Sequence, residues 1–186
     1  MFELRKACIV NYYIADLHFG HANVIKLNNR PFKSIEEMNK TLIDNWNSVV
    51  TSKDNVYILG DFSYKSDPDK YLSQLNGNKY LILGNHDSKI RNNKVGDLYP
   101  CFGWVKDYAE ISDNNKRVIM FHYPICEWAG YFRDSIHLYG HIHNNLNKTS
   151  DIMSHMKNAY NVGADILDYY PRTLDEVIYY NKAFYG

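Results

Sequence analysis

The sequence predicts an α/β protein in which layers of helix and strand are stacked on one another. Short apolar runs of strand length recur along the chain, for example at residues 56–59, 80–83 and 118–121. Such near-continuous runs are typical of strands that are buried on both faces. In the first half of the chain they alternate with helical segments, which favours parallel strands. In the second half they follow one another, which favours antiparallel or mixed pairing.

The first half contains three predicted strands and two predicted helices. The strands are residues 9–15, 55–59 and 79–83. A helix begins after Ser34, because a Ser at the N-cap and a Glu three residues later form a capping-box pattern. Apolar residues then recur on one face with the helical period: Ile35, Met38, Leu42, Trp46, Val49 and Val50. Residues 67–74 are predicted to form a second helix, with a proline in its first turn.

The second half contains four predicted strands, at residues 104–111, 117–121, 137–139 and 159–162. Turn-forming residues at 112–115 join the first two of these strands into a hairpin. A second capping-box pattern, at residues 173–176, begins a final helix that is predicted to end near Asn181. We find neither a repeat nor a linker that would divide the chain, so residues 1–186 are predicted to form a single domain.

Composition restricts the class of protein. The chain has 186 residues, of which 45% are hydrophobic and 23% are charged, which is typical of a globular protein and not of a disordered one. Lys and Arg total 21, as do Asp and Glu, so the formal net charge is zero. A neutral chain without basic runs argues mildly against a nucleic-acid partner, which requires several cations on one face.

The cysteines and the hydropathy pattern indicate a cytoplasmic protein without a membrane partner. Cys8, Cys101 and Cys126 are scattered and form no C-x-x-C pair, so we expect neither a disulfide framework nor a cysteine zinc site. The first ten residues lack the apolar core of a signal peptide. No stretch approaches the ~18 apolar residues that a membrane span requires.

Five short polar clusters carry the chemistry, and each follows an apolar run. The clusters are Asp16-Leu17-His18, Gly60-Asp61, Gly84-Asn85-His86-Asp87, His122 and Gly140-His141-Ile142-His143. In open α/β sheets, ligands bind beyond the carboxyl ends of the strands, so we expect these clusters to converge at one edge. The glycine that precedes three of the clusters permits a sharp turn or a close backbone approach.

As possible metal ligands the clusters supply two aspartates, one asparagine and four histidines, which suit two divalent cations that share one carboxylate. One further histidine, His86, is left for proton transfer. Residues i and i+2 of an extended segment point to the same side, so each Asp-x-His or His-x-His pair is expected to reach the metals together. The ligand types favour manganese, iron(II) or zinc. Any one cluster alone is more often a turn or loop, but the ordered set indicates a metal-dependent hydrolase.

The ordered set, from about Tyr12 to His143, resembles the calcineurin-like metallophosphoesterase superfamily, and within it the small single-domain bacterial and phage members. This resemblance implies an α/β fold with four layers, an αββα sandwich of two mixed β-sheets. It also implies a dinuclear metal site at the top of the two sheets.

The resemblance assigns a role to each polar residue. It implies that one metal is held by Asp16, His18 and His143, and the other by Asn85, His122 and His141. Asp61 would bridge the two metals, His86 would be the catalytic histidine beside the leaving group, and Asp87 would orient nearby groups. The two ions would be manganese, with iron, zinc or nickel as alternatives.

The expected reaction is hydrolysis of a phosphoester by in-line attack of a metal-bridging hydroxide. Asn85 would stabilise the negative charge on the phosphoryl oxygens, and His86 would donate a proton to the leaving alkoxide. A phosphodiesterase acting on a small or nucleotide-like substrate is the leading prediction, with a phosphomonoesterase left open. The alternatives are a metal-dependent nuclease or RNA-processing enzyme, which the neutral charge disfavours, and a non-catalytic scaffold, which the complete ligand set disfavours.

Three further residues are candidate substrate contacts. His21 either contacts phosphate or supports a metal ligand, or it is a loop histidine packed against a helix start. Arg30 either places a cation near the pocket or forms a structural turn before the Ser34 helix, and we favour the turn. Arg133 lies in the aromatic segment 123–133, which forms either a pocket wall or lid, or a hydrophobic loop packed on the body.

Overall fold

Two four-stranded sheets lie at the centre of the protein. The computed structural model describes residues 9–186, and all structural statements below refer to them. The first sheet contains β1 (Asn11–Ile14), β2 (Asn55–Leu59), β3 (Asn78–Ile82) and β4 (Val105–Lys106), side by side in this order. The second contains β5 (Tyr108–Asp113), β6 (Lys116–Phe121), β7 (Ile136–Tyr139) and β8 (Ala159–Asn161).

The pairing follows the division between the two halves of the sequence. The strands of the first sheet are parallel throughout. In the second sheet β5 and β6 form an antiparallel hairpin, and β7 and β8 continue in parallel. Only the second sheet is therefore mixed. The hairpin turns through Asn114 and Asn115, which both have positive φ, as a tight hairpin turn requires.

Six helices accompany the sheets in the described range. They are α1 (Ala22–Leu27), α2 (Ile35–Val49), α3 (Asp69–Leu72), α4 (Ser88–Asn93), α5 (Lys148–Ser154) and α6 (Leu174–Tyr185). The predicted cap of α2 is formed, because Ser34 Oγ accepts a hydrogen bond from the Glu37 backbone N–H at 3.1 Å. Glu37 in turn accepts from the backbone N–H of Lys33 and not from that of Ser34.

Three separate apolar cores show that the layers are stacked as an αββα sandwich, which confirms the predicted fold class. The first core lies between α2 and the first sheet and includes Trp46, Ile58 and Leu81. The second lies between the two sheets, with residues such as Leu59 and Met120. The third covers the outer face of the second sheet and consists of Ile119, Trp128, Tyr139, Ile142, Met153 and Ala159. Alternating residues of β2 therefore serve two cores, as strand geometry dictates.

The main departure from the predicted elements lies at residues 104–111, where one strand was predicted. The chain breaks at Asp107, because Val105 pairs with β3 in the first sheet while Tyr108 pairs with β6 in the second. The predicted helix at 67–74 shortens to α3, and the final helix extends past Asn181 to Tyr185. Helices α1, α4 and α5 were not predicted, because they have at most seven residues and show no full helical period.

Hydropathy and the cysteines are the two features on which the expected location depends. No helix in residues 9–186 combines the length and the apolar character needed to cross a membrane. Cys101 and Cys126 are exposed free thiols, and Cys8 lies outside the described residues. The cytoplasmic location remains a prediction.

Candidate metal centre

The polar clusters meet where strands of both sheets end. Asp16, Asp61 and Asn85 follow β1, β2 and β3 of the first sheet, while His122 and His141 follow β6 and β7 of the second. Within each sheet these strands are parallel, so their carboxyl ends lie at one edge. The two edges meet, because Asp61 Oδ2 of the first sheet lies 3.7 Å from His122 Nε2 of the second. The predicted convergence is therefore present in the fold.

Asp61 lies at the centre of the cluster. Its Oδ2 atom is 3.6 Å from His18 Nε2, 3.7 Å from His122 Nε2 and 3.9 Å from His86 Nε2. Its Oδ1 atom accepts a hydrogen bond from the His86 backbone N–H at 2.8 Å. The carboxylate is 2% exposed, so one buried oxygen faces three imidazoles at once. This is the arrangement that a carboxylate shared by two cations requires.

The first group of candidate ligands consists of Asp16, His18 and His143, whose ligand atoms all lie within 4.8 Å of one another. Asp16 Oδ1 and His18 Nε2 are buried, and neither has a hydrogen-bond partner in the described range. A buried polar atom without a partner costs about 1–3 kcal/mol. A cation that both atoms bind would remove this cost, so the group fits a metal.

The second group is centred on Asn85. Its Oδ1 atom is 3.1 Å from His122 Nε2 and 3.0 Å from His141 Nδ1. His122 Nδ1 lies 2.7 Å from the Leu59 carbonyl oxygen and donates to it, which leaves Nε2 without a proton. An unprotonated ring nitrogen and an amide oxygen at this distance repel one another unless a cation is bound by both. This group therefore also fits a metal.

Burial and neighbouring charges set the protonation of the cluster. Burial raises the pKa of Asp16 to about 6, so this carboxylate is ionised at pH 7. Burial, assisted by His143, lowers the pKa of His18, and burial with His122 lowers that of His141. Burial also lowers the pKa of His143, but the hydrogen bond to Asp165 and the charges of Asp16 and Asp165 together outweigh it, and the net shift is upward. His18 and His141 are therefore neutral at pH 7, as metal binding requires.

The backbone of the candidate ligands is unusual. Positive φ angles occur at Asp16 (56°), His18 (53°), Asp61 (52°), His141 (71°) and His143 (51°). Asp-x-His and His-x-His are therefore not extended segments, and the predicted reason for their convergence was wrong although the convergence itself is present. Such conformations cost about 1–3 kcal/mol each and persist where the surrounding structure enforces them, commonly at functional sites.

Asp87 lies beneath the cluster and not at its open face. Its carboxylate accepts three backbone hydrogen bonds, from Asp61 N at 2.8 Å, Phe62 N at 2.9 Å and Gly84 N at 2.9 Å. Burial raises its pKa to about 6. Asp87 thus ties the loops after β2 and β3 together and holds the backbone of Asp61 in place.

Arg30 is buried and holds backbone, so it is not available to a substrate. Its guanidinium donates to the carbonyl oxygens of Asp16 at 2.6 Å and Leu17 at 3.1 Å. It also forms a two-point ion pair with Asp165, at 2.8 and 3.0 Å. The Arg30 side chain therefore supports the loop after β1 and pairs with Asp165.

Asp165 is the main site residue that sequence reasoning missed. Its Oδ2 atom lies 2.8 Å from His143 Nδ1, and its side chain is fully buried. The missed signal is the predicted strand at 159–162 followed by Gly163 and Asp165, which repeats the strand–glycine–polar pattern of the other clusters.

His21 belongs to the site, together with a second missed residue, Tyr64. His21 Nδ1 is 3.3 Å from His18 Nδ1, and its ring stacks on that of Tyr64 at 3.9 Å between centroids. The Tyr64 ring also meets the His86 ring edge-on at 5.2 Å. His86 is 36% exposed at its side chain, so this aromatic wall borders the open face of the cluster.

The segment 123–133 divides into two parts. The Tyr123 ring lies 4.9 Å from the His122 ring and 4.7 Å from the His141 ring, and so forms part of the site wall. Ile125, Trp128, Ala129 and Tyr131 pack against the outer face of the second sheet. Arg133 is exposed in a short 3₁₀ turn and makes no side-chain hydrogen bond or ion pair within residues 9–186. The structure does not bring it to the cluster.

Comparison with known proteins agrees with this geometry. The family model for calcineurin-like phosphoesterases matches residues 12–161. An uncharacterized protein of Methanocaldococcus jannaschii, MJ1445, is 36% identical over 171 residues, which cover 90% of this chain and 88% of that protein. The gene 66 protein of Mycobacterium phage L5 is 32% identical over 130 residues, which cover 61% of this chain and 62% of that protein.

Among solved structures, a protein of unknown function from Aquifex aeolicus, AQ665, superposes with a TM-score of 0.70 at 26% identity. The superposition covers 92% of this chain and 99% of that one. The family match spans most of the chain, from the first strand to the last, and includes every polar cluster described above. The protein belongs to the calcineurin-like phosphoesterase family.

Proposed function

We propose that the protein is a phosphodiesterase that uses two divalent metal ions to hydrolyse a small or nucleotide-like substrate. The central observation is the position of Asp61, whose Oδ2 atom lies within 3.9 Å of a nitrogen of His18, His122 and His86. This single oxygen faces His18 of the first ligand group, His122 of the second group and the candidate proton donor His86. Its position favours a dinuclear site that shares Asp61 over a site for a single ion.

The ligands divide between the two ions as the two groups do. One ion would be held by Asp16, His18 and His143. The other ion would be held by Asn85, His122 and His141, and Asp61 would bind both ions. Oxygen and imidazole ligands suit manganese, with iron, zinc or nickel as alternatives. When bound, such ions supply Lewis acidity and bring the pKa of a bound water down to about 7.

The residues at the open face carry the remaining steps. His86 is partly exposed beside Asp61, where it can donate a proton to the oxygen of the leaving alcohol. The side-chain NH₂ of Asn85, whose oxygen faces His122 and His141, is left to donate to a phosphoryl oxygen. Asp87 and Asp165 act beneath, on Asp61 and His143, and touch no reacting group.

The charge of the site supports a diester over a monoester. A monoester dianion calls for fixed cations at the reaction centre in addition to the metals. The guanidinium at the site, that of Arg30, is already engaged by Asp165 and by two backbone carbonyls. The free cations nearby, Lys65 and Lys89, lie beyond His86 on the leaving-group side, so the singly charged phosphate of a diester matches the metal centre better.

The test compares bis(p-nitrophenyl) phosphate with p-nitrophenyl phosphate. Protein stripped with EDTA receives manganese, nickel or zinc in turn, and p-nitrophenol release is followed. We expect metal-restored activity with the diester preferred. Preference for the monoester would make the protein a phosphatase. Hydrolysis of a polynucleotide, tested in the same way, without hydrolysis of either small ester would make it a nuclease. Bound metal without turnover of any of these esters would contradict an enzymatic role.

Substitution of the central carboxylate tests the shared site. Asp61→Asn should reduce the affinity for both ions, because both lose the same anionic ligand, whereas Asp151→Asn, at a 77% exposed carboxylate on α5, should not. The stoichiometry of manganese, measured by metal analysis after gel filtration, is the readout. A stoichiometry unchanged in Asp61→Asn would contradict the shared site.

A further inference from the structure

A small cavity opens beside His86, on the side where the leaving group would depart. Its volume is about 120 Å³. It lies between the segment after β2 and the start of α4, and its lining includes Ser63, Lys65, Asn85, His86, Ser88 and Lys89. Because Asn85 and His86 form one wall, whatever occupies this cavity lies against the reaction centre.

The cavity carries an excess of positive charge. Lys65 and Lys89 are exposed, and neither forms an ion pair with any residue in the described range 9–186. Three lysines of the described range are instead held by carboxylates: Lys40 by Asp44, Lys106 by Asp97 and Lys157 by Asp134. The carboxylate that also lines the cavity, Asp87, is buried and already accepts three backbone N–H groups. The Lys65 ammonium also lies over the Tyr64 ring, at 5.1 Å from its centroid, and both ammonium groups remain accessible to an anion.

Hydroxyl groups complete the lining. Ser63 is 5% exposed, and its hydroxyl forms no hydrogen bond with the residues that the structure describes. The Ser88 hydroxyl is also without a partner among them. Ser66, in contrast, donates to the Phe19 carbonyl oxygen at 3.0 Å and is not free to donate elsewhere. Two free hydroxyl donors and two ammonium groups are the donor set of an oxyanion site.

The volume limits the size of the ligand group. About 120 Å³ corresponds to about four water molecules at about 30 Å³ each, which is room for a tetrahedral oxyanion. We propose that this cavity binds a second phosphate carried by the leaving group, so that the substrate class is phosphoesters whose departing alcohol is itself phosphorylated. The proposal rests on the proposed function, because the leaving-group side is defined by His86.

Matched aryl esters test the proposal. The first member is methyl phenyl phosphate, and the second carries an additional phosphate on the phenyl ring, at the meta or para position. With manganese supplied, we expect the phosphorylated member to show about tenfold higher kcat/KM, the combined scale of two partly exposed charge pairs. The preference should shrink as salt is raised from 0.05 to about 1 M, because the Debye length falls to about 3 Å.

Two double variants identify the groups responsible. In Lys65→Met with Lys89→Met, the ratio of kcat/KM between the two esters should fall to about one. The matched control, Lys53→Met with Lys182→Met, removes two exposed lysines that do not line the cavity, and should keep the wild-type ratio. A wild-type ratio near one, or a preference that survives in the first double variant, would overturn the proposal.

A binding measurement separates this proposal from the proposed function. Non-hydrolysable phenylphosphonate and its ring-phosphonated analogue are titrated calorimetrically into the manganese-loaded protein. Tighter binding of the second, abolished in Lys65→Met with Lys89→Met, would support the anion site even if neither ester is hydrolysed. Hydrolysis of both esters without any difference in rate or affinity would leave the proposed function intact and refute the anion site.

Discussion

The Nδ1 atom of His143 lies 2.8 Å from Oδ2 of Asp165, and the two residues are 22 positions apart in the sequence. Arg30 holds the same carboxylate from the other side. Burial raises the pKa of Asp165, but the hydrogen bond to His143 and the charge of Arg30 outweigh it, so the group is ionised. Asp165 therefore fixes which nitrogen of His143 carries the proton and leaves the other nitrogen for the cluster.

Asp165→Asn should weaken both the metal site and the fold. The buried Arg30 would lose its counter-charge, which costs about 3–5 kcal/mol, and loss of a carboxylate behind a metal-binding histidine lowers metal affinity about 10–100-fold. Calorimetric manganese titration and urea denaturation measure the two effects. Asp168→Asn, at an exposed carboxylate three residues along, is the control. Wild-type affinity in Asp165→Asn would show that Asp165 does not position His143.

Gly60→Ala should displace His122. At Gly60 (φ +91°), an added Cβ would lie 2.2 Å from His122 Nδ1, whereas at Gly96 (φ +59°) it would meet nothing within 4 Å. Both variants bear the backbone cost of a positive φ, about 1–2 kcal/mol. Only Gly60→Ala adds a clash, so we expect its free energy of unfolding to fall by about 1–3 kcal/mol further, and its manganese binding to weaken. Equal losses in the two variants would mean that His122 adjusts freely.

His86→Asn should reduce turnover while metal binding persists. Loss of a general acid typically costs about 10²–10⁴-fold in rate, and most when the leaving alcohol is a poor leaving group. Turnover of an alkyl and a p-nitrophenyl diester, with manganese content measured in parallel, tests this. His155→Asn, at an imidazole whose side chain is 80% exposed, is the control. Full activity of His86→Asn on the alkyl ester would exclude proton donation by His86.

Acid should destabilise the protein through His137, which is buried in β7. Burial lowers its pKa from 6.5 to about 4, and the neutral ring accepts from Ile125 N at 3.4 Å. The unfolded chain takes up the proton at a higher pH than the folded chain. The contribution of neutral His137 to the free energy of unfolding is therefore fully present above pH 6.5 and is lost as the pH falls towards 4. The full loss is about 3 kcal/mol, at about 1.4 kcal/mol per pKa unit.

Urea denaturation at several pH values between 7 and 4, with and without His137→Gln, isolates this contribution. The wild type should lose more stability than the variant over this range, although the variant is less stable at pH 7. Other histidines titrate in both proteins and cancel in the difference. Parallel pH profiles for the two proteins would contradict the linkage.

The elements that were predicted well are those specified by nearby residues. Strand β2 occupies residues 55–59 as predicted, because its apolar run is bounded by polar residues at one end and Gly60 at the other. The start of α2 follows from Ser34 and Glu37, three residues apart. The convergence of Asp16, Asp61 and His122 was also predictable, since parallel strands bring their carboxyl ends to one edge.

The features that were missed depend on distant residues. The strand at 104–111 divides because Val105 and Tyr108 find partners in different sheets, and no local pattern records that choice. Arg30 and Asp165 pair across 135 positions, so the sequence suggested a turn for the first and nothing for the second.

The sequence by itself determined the ligand types, their order and the strand ends on which they lie, because apolar runs, glycines and polar residues are local signals. Only the tertiary structure decided how the ligands are held. Positive φ at His18, the hydrogen bonds of Asp87 beneath Asp61 and the position of Lys65 beside His86 arise when separate loops pack together. Packing between loops is set by the free energy of the whole fold, to which residues far apart in the sequence contribute.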